Sequence, residues 1–246
     1  MSKIKYISVE EAAQKWQISE RSARNYCAQG RVEGALLEGK TWKIPSAAKK
    51  PERKPRHSSV EETLLDCLRR EKEASLKGGI YHKIQIDLTY NSNYIEGSML
   101  THDQTRFIFE TKTLGVTDKA VKVDDIVETV NHFRCIDLII EGARTKLTES
   151  FIKQLHFILK SGTTDSQKSW FRVGDYKMLE NEVGGSDTTK PAEVAGAIKA
   201  LLKEYNSKSK ITLEDILDFH VRFEAIHPFQ AGTGRVGRLI RFKECL

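Results

Sequence analysis

Residues 227–238, His-Pro-Phe-Gln-Ala-Gly-Thr-Gly-Arg-Val-Gly-Arg, set a histidine just ahead of a Gly-x-Gly turn, and two arginines follow on what reads as the opening of a helix. These residue types suit phosphate chemistry. Glycines Gly232 and Gly234 let backbone N–H groups approach an anion, and a helix N-terminus adds further donors and a favourable dipole. Arg235 and Arg238, three apart on one helical face, can clamp terminal phosphate oxygens. His227 stands where it could take a proton from an incoming hydroxyl.

The segment resembles the signature of the Fic (Fido) family, His-Pro-Phe-x-Asp/Glu-Gly-Asn-Gly-Arg-x-x-Arg, and matches it at the His, Pro, Phe, both motif glycines and both arginines. The family transfers AMP, less often another phosphate-bearing group, to protein hydroxyls. The resemblance therefore implies ATP as donor, a protein target as acceptor, His227 as general base, and Gly232, Thr233, Gly234, Arg235 and Arg238 as the phosphate site. The sequence departs at Thr233, where the family usually has Asn, and at Ala231, where it has the acid that holds magnesium. A methyl group cannot hold a metal, and losing that stabilisation costs on the order of several kcal/mol at the transition state, or ~10³-fold or more in rate. Magnesium is thus expected of the family and unsupported by Ala231, and feeble or absent activity is the expectation for this chain.

Ser92-Asn93-Tyr94-Ile95-Glu96-Gly97 resembles the family's inhibitory motif, Ser/Thr-x-x-x-Glu-Gly/Asn. The resemblance implies that Glu96 reaches Arg238 and fills the space of a terminal phosphate, with Ser92 and Gly97 completing the motif. Glu182-Val183-Gly184-Gly185 resembles the target-docking flap, whose edge pairs with an extended substrate segment. Family members continue with further helices beyond the motif helix, so Leu239, Ile240, Phe242 and Leu246 are expected to be exposed, and a homodimer would cover them.

The elements that must position these residues are mostly helical. From about Val60, apolar positions recur at helical spacings: Leu64, Leu65 and Leu68; Ile84, Ile86, Leu88 and Ile95; Ile126, Val127, Val130, Phe133 and Ile136 on to Ile140; Phe151 to Leu159. These stripes read as core. Thr148 and Thr212 are placed to start helices. The helical period disappears between Gly174 and Pro191, where Tyr176 to Val183 followed by Gly184-Gly185-Ser186 fits a short hairpin. Pro228 disfavours helix at His227, which puts the histidine in a loop between two helices.

Residues 6–45 read as a separate unit. Ser8 caps a helix through Ala12 and Trp16, Ser19 caps a second through Ala23 and Cys27, and a hairpin turns at Glu38-Gly39-Lys40. The pattern resembles a winged helix-turn-helix of the MerR/excisionase kind, with Arg21, Arg24 and Asn25 facing outward on the second helix as candidate DNA contacts. Residues 1–57 carry thirteen Lys/Arg against six Asp/Glu, whereas the remainder is nearly balanced, so the +6 net charge resides in this module and points it toward an anionic partner.

No apolar run approaches the ~18 residues of a membrane span, the first residues have no secretory-signal pattern, and the four scattered cysteines form no metal or disulfide spacing. A cytoplasmic protein with reduced thiols and no membrane partner is expected. The expected organisation is a winged helix-turn-helix over 1–47, a basic linker over 48–59, a helical segment carrying the inhibitory motif over 60–146, and a Fic core over 147–246. The overall class is mostly α with one hairpin flap. The rival reading is a DNA-binding regulator whose altered core only binds nucleotide or a protein partner.

Overall fold

The computed structural model describes residues 5–52, 62–115 and 120–246, apart from the side chain of Ser186. It divides into two compact units, 1–61 and 62–246. The expected linker lies, from residue 53 to residue 59, outside the described residues.

The first unit runs β1 (Tyr6–Ile7), α1 (Val9–Trp16), α2 (Glu20–Ala28), β2 (Leu36–Glu38) and β3 (Thr41–Pro45). Ser8 and Glu11 close a capping box: the Ser8 hydroxyl accepts the Glu11 N–H at 3.1 Å, and the Glu11 carboxylate accepts the Ser8 N–H at 2.8 Å. The Ser19 hydroxyl caps α2 by accepting the Ser22 N–H at 3.2 Å, without a reciprocal bond. The strands form an antiparallel sheet in the order β1-β3-β2, with Ile7 opposite Ile44 and Leu37 opposite Trp42. Strand β1 was not expected, since two residues carry no periodicity of their own. Its partner β3 lies across both helices in sequence. Ala12, Trp16, Ala23, Cys27 and Ile44 fill the small core between helices and sheet.

The second unit contains α3 (Leu64–Glu73), α4 (Ile80–Ile95), α5 (His102–Thr111), α6 (Val123–Gly142), α7 (Glu149–Lys160), a 3₁₀ turn (Thr164–Gln167), β4 (Glu182–Val183), β5 (Ser186–Asp187), α8 (Pro191–Ser207), α9 (Leu213–Ile226) and α10 (Thr233–Glu244). The long α6 is the axis. Cys135, Ile136, Ile139 and Ile140 are fully buried on it, and Leu155 and Leu159 of α7, Phe223 of α9 and Val236 of α10 share their core. Thr148 and Thr212 cap α7 and α9 through their hydroxyls. No helix among the described residues is long and apolar enough to cross a membrane, and all four cysteines are free.

Three expectations change here. Leu64, Val130 and Ile95 are not core; Ile95 is 66% exposed because polar Ser92 and Asn93 take the inward face of the last turn of α4. The hairpin shrinks to residues 182–187, because Lys177 N–H bonds the Pro228 carbonyl and Leu179 N–H bonds the Gln230 side chain instead of a strand. Leu239 and Ile240 are buried, and Phe242 and Leu246 pack half-buried on the same core, so the apolar surface expected to drive a homodimer is already covered.

Candidate active site

Helix α9 ends where Pro228 makes continuation unfavourable. His227 turns into the left-handed conformation (φ 49°) while its N–H still reaches the Phe223 carbonyl at 3.1 Å. The loop that follows is fixed from below. Phe229 is fully buried and stacks on His156 with ring centroids 3.9 Å apart. His156 accepts the Gly174 N–H at Nδ1 (3.0 Å), which puts its proton on Nε2 for the Ala231 carbonyl (3.1 Å). Burial depresses the pKa of this imidazole to about 3, so it serves as a neutral strut. Gly232, at φ 89°, makes the left-handed turn that a side chain resists, and α10 starts directly after it.

The first turn of α10 has backbone N–H groups with no helical partner. It opens on a cavity of about 520 Å³ whose wall includes Glu96, Val183, Glu224, His227, Gly234 and Arg238. Residues from three separate regions, the end of α4, the β4–β5 hairpin and the histidine loop, meet there. The Nδ1 of His227 is buried without a hydrogen bond of good geometry. Burial first, then the charge of Lys177, holds this imidazole below its ordinary pKa against the opposing pull of the Glu224 carbonyl and the Glu96 carboxylate. It is therefore neutral near pH 7.

Arg238 donates to Glu96 Oε1 at 2.7 Å, and to the Ser92 hydroxyl and the Ser92 carbonyl at 3.0 Å each. Glu96 also lies against α10. A methyl group built on Gly234 would meet Glu96 Oε1 at 2.5 Å, so glycine at 234 is what allows the carboxylate to sit there. Gly97 follows at φ 89° and turns the chain away.

Two expected phosphate contacts are engaged otherwise. The Thr233 hydroxyl is buried and turned back on the loop, within 3.3 Å of the Phe229 carbonyl and 3.2 Å of its N–H. Its side chain braces the turn. Arg235 is 5% exposed and gripped by both oxygens of Glu128, with Asn93 Oδ1 at 3.4 Å. Glu128 also takes Lys160 Nζ at 2.5 Å, and Lys160 reaches Asp165 at 2.8 Å. The two cations hold Glu128 below the usual carboxylate range despite its burial.

Magnesium does not fit the residues present. The Ala231 carbonyl is occupied by His156. Of the acids on the cavity wall, Asp124 bonds Thr164, Asp125 the Met99 N–H and Glu96 Arg238, and Glu128 and Asp165 pair with cations, which leaves Glu224 as a single uncommitted carboxyl. No group of three or more metal-binding side chains occurs among the described residues.

The flap strands β4 and β5 pair Glu182 with Asp187 and Val183 with Ser186 around the Gly184-Gly185 turn, and Val183 reaches the cavity wall. In the first unit, Arg21 and Asn25 are exposed on α2, and Arg24 is ion-paired to Glu20 at 2.6 Å.

Sequence reasoning missed Glu128, Lys160, His156 and Glu224. The first two look like solvated helix charges, and the third falls in an apolar run. Glu224 gave a faint signal, one helical turn before His227. Its Oε1 is buried without a partner, and burial raises its pKa to about 7 although Arg238 pulls the other way.

Residues 146–242 match the Fic/DOC family model. Among solved structures, the chain is similar to a Fic domain containing signaling protein from Bacteroides thetaiotaomicron, with 27% identity over 73% of this chain and 71% of that one and a TM-score of 0.59. It is also similar to a Fic family protein from Desulfovibrio desulfuricans (22% identity, 71% of this chain and 51% of that one, TM-score 0.56) and to Fic-1 from C. elegans (17%, 74% and 56%, TM-score 0.54). The last two likenesses concern the fold alone. None of the curated proteins matches.

Proposed function

We propose that this chain, whose residues 146–242 match the Fic/DOC family, a family that generally transfers AMP or another nucleotidyl group to proteins, is an ATP-binding member restrained by Glu96 and deprived of its metal by Ala231. The observation that carries the proposal is the cavity over the first turn of α10, where a neutral histidine, free helix N–H groups and a carboxylate-bound arginine face one space.

The reaction supported is attack of a target Ser, Thr or Tyr hydroxyl on the α-phosphorus of ATP. A new P–O bond forms, the bond to the β-phosphate oxygen breaks, and pyrophosphate leaves. The hydroxyl proton passes to Nε2 of His227, the nitrogen left available by burial of Nδ1. The α10 N-terminus holds phosphate oxygens, and Arg238 takes the terminal phosphate once Glu96 withdraws. Arg235, closed in by Glu128, shapes the floor of the site rather than gripping the nucleotide. The exposed edge of β4 and β5 offers backbone groups to an extended target segment.

With Ala231 in place, transfer is slow or absent. The test is ATP binding by calorimetry with and without magnesium, followed by labelled-AMP transfer to proteins by the Ala231→Asp, Glu96→Gly double variant. Affinity that ignores magnesium in the parent and transfer appearing in the double variant is the expected pair of results. Absence of ATP binding in both proteins would overturn the proposal.

A second reading attaches to the first unit. Its basic charge and the exposed Arg21 and Asn25 on α2 support a duplex DNA contact by residues 1–57, in which case the second unit acts as a nucleotide- or partner-responsive regulator. A gel-shift on random duplex at low salt tests it, and no shift by the full chain would remove it.

A further inference from the structure

Lys177 lies just before the flap and is 4% exposed, with no carboxylate in ion-pair contact among the described residues and only Glu180 acting on it from further off. Its ammonium donates to Asn181 Oδ1 at 2.7 Å and to the Thr188 hydroxyl at 2.5 Å, both neutral acceptors. Burying a cation without a direct ion pair is costly, so such a lysine calls for a reason beyond packing. The surroundings supply one. Its own N–H bonds the Pro228 carbonyl at 2.9 Å, and Asn181 Nδ2 bonds the Phe229 carbonyl at 3.3 Å. Thr188, on the far side of the hairpin, bonds the Asn181 carbonyl at 2.8 Å. The ammonium thus joins both ends of the flap, and the Lys177 main-chain N–H and the Asn181 amide join them to the two residues that follow His227.

We propose that Lys177 is a positioning residue, whose buried ammonium holds Asn181 and Thr188 so that the flap stays tied to the histidine loop, and whose positive charge acts on the His227 imidazole. The catalytic meaning rests on the AMP-transfer reading; the electrostatic arrangement does not. The Glu96 carboxylate at the end of α4 and the main-chain carbonyl of Glu224 in α9 favour protonation of His227. Burial and Lys177 act against them, and Lys177 itself is held below its ordinary pKa by burial. Because Asn181 and Thr188 bracket β4 and β5, a target segment docked on the flap would pull on the same ammonium. Target docking and the protonation of the base are thereby linked through one side chain.

The test is NMR titration of the histidine imidazoles in the full chain without nucleotide, with the His227 signal identified by its loss in His227→Asn. Lys177→Met removes the charge, and the His227 midpoint is expected to move up by roughly half a pH unit or more, the scale of one charge acting through a protein-like dielectric. Lys177→Arg keeps the charge and keeps the midpoint low. Should Lys177→Met fail to fold, Lys177→Gln retains a donor for Asn181 and carries the same comparison. An unmoved midpoint in a folded, neutral variant overturns the proposal. A raised midpoint in a protein that never binds ATP would leave Lys177 in its role and remove only the transfer reading.

Discussion

Replacing Glu96 with glycine removes one carboxylate and its ion pair from the cavity, and the consequence for ATP follows from the contacts that remain. Arg238 keeps two hydrogen bonds to Ser92, to the hydroxyl and the carbonyl, so its guanidinium stays in place when Glu96 is gone. In the parent protein a terminal phosphate must displace Glu96 from Arg238, breaking a charge-assisted bond of 2.7 Å at a partly buried pair. Bonds of that kind contribute about 1.5–3 kcal/mol, which at 1.4 kcal/mol per factor of ten corresponds to roughly 10- to 150-fold in Kd. Repulsion between the Glu96 carboxylate and the triphosphate over Gly234 adds to this, so the range is a lower bound. Backbone strain contributes little, since Glu96 itself has a negative φ that glycine adopts freely. Calorimetry of ATP binding in EDTA, comparing the parent, Glu96→Gly and Glu96→Gln, measures the effect directly. Glu96→Gln keeps the shape and an acceptor for Arg238 but loses the charge, and should fall between the other two. Equal affinities within twofold for all three would refute the reasoning, because Glu96 would then not compete with phosphate for Arg238.

Other outcomes follow from the same contacts. Glu128→Ala leaves Arg235 and Lys160 as buried cations without their shared carboxylate and should cost about 3–5 kcal/mol by urea denaturation. Phe229→Ala, which empties the stack on His156, should lose a similar 3–5 kcal/mol. Ala231→Asp should leave the melting temperature nearly unchanged, because His156 holds the loop through the 231 carbonyl, while making ATP affinity depend on magnesium. Acid lability has a defined origin. The folded pKa values of His132 and His156 are pushed down to about 3 by burial, so the unfolded chain takes up their protons first and stability is lost as pH falls from about 6.5 toward 3. Glu224 acts in the opposite sense: its pKa, raised to about 7, favours the protonated folded state, so its contribution declines as pH rises from about 4.3 to about 7, and Glu224→Gln should flatten stability across that window.

Local chemistry was the legible part of this chain. The caps at Ser8, Ser19, Thr148 and Thr212 each act within three residues, and sequence spacing reports such contacts directly. The mostly helical architecture was legible for a related reason, because apolar residues at helical spacing have few other ways to leave water. The flap turn could be placed from its two glycines, but the strand length could not. Lys177 and Leu179 spend their N–H groups on the histidine loop, some fifty residues further along the chain, and no local pattern encodes that exchange.

The arginines mark the limit of such reading. Three residues apart on one helix, Arg235 and Arg238 look equivalent in the sequence, and both suggest a phosphate clamp. Their environments separate them: Arg235 meets Glu128 from α6 and Asn93 from α4, and Arg238 meets Ser92 and Glu96 at the end of α4. One helical turn rotates the first guanidinium into the interior, where both Glu128 oxygens and Lys160 complete a neutralised network with Asp165. The second remains at the cavity, held by a half-buried carboxylate that a stronger anion can replace. A buried pair is strongly destabilising to break, whereas a bond at the cavity wall costs far less to exchange. On the proposed reading, ligand exchange therefore belongs to Arg238 and structural support to Arg235. A nucleotide that competed with Glu128 would unfold the floor of its own site before gaining a contact.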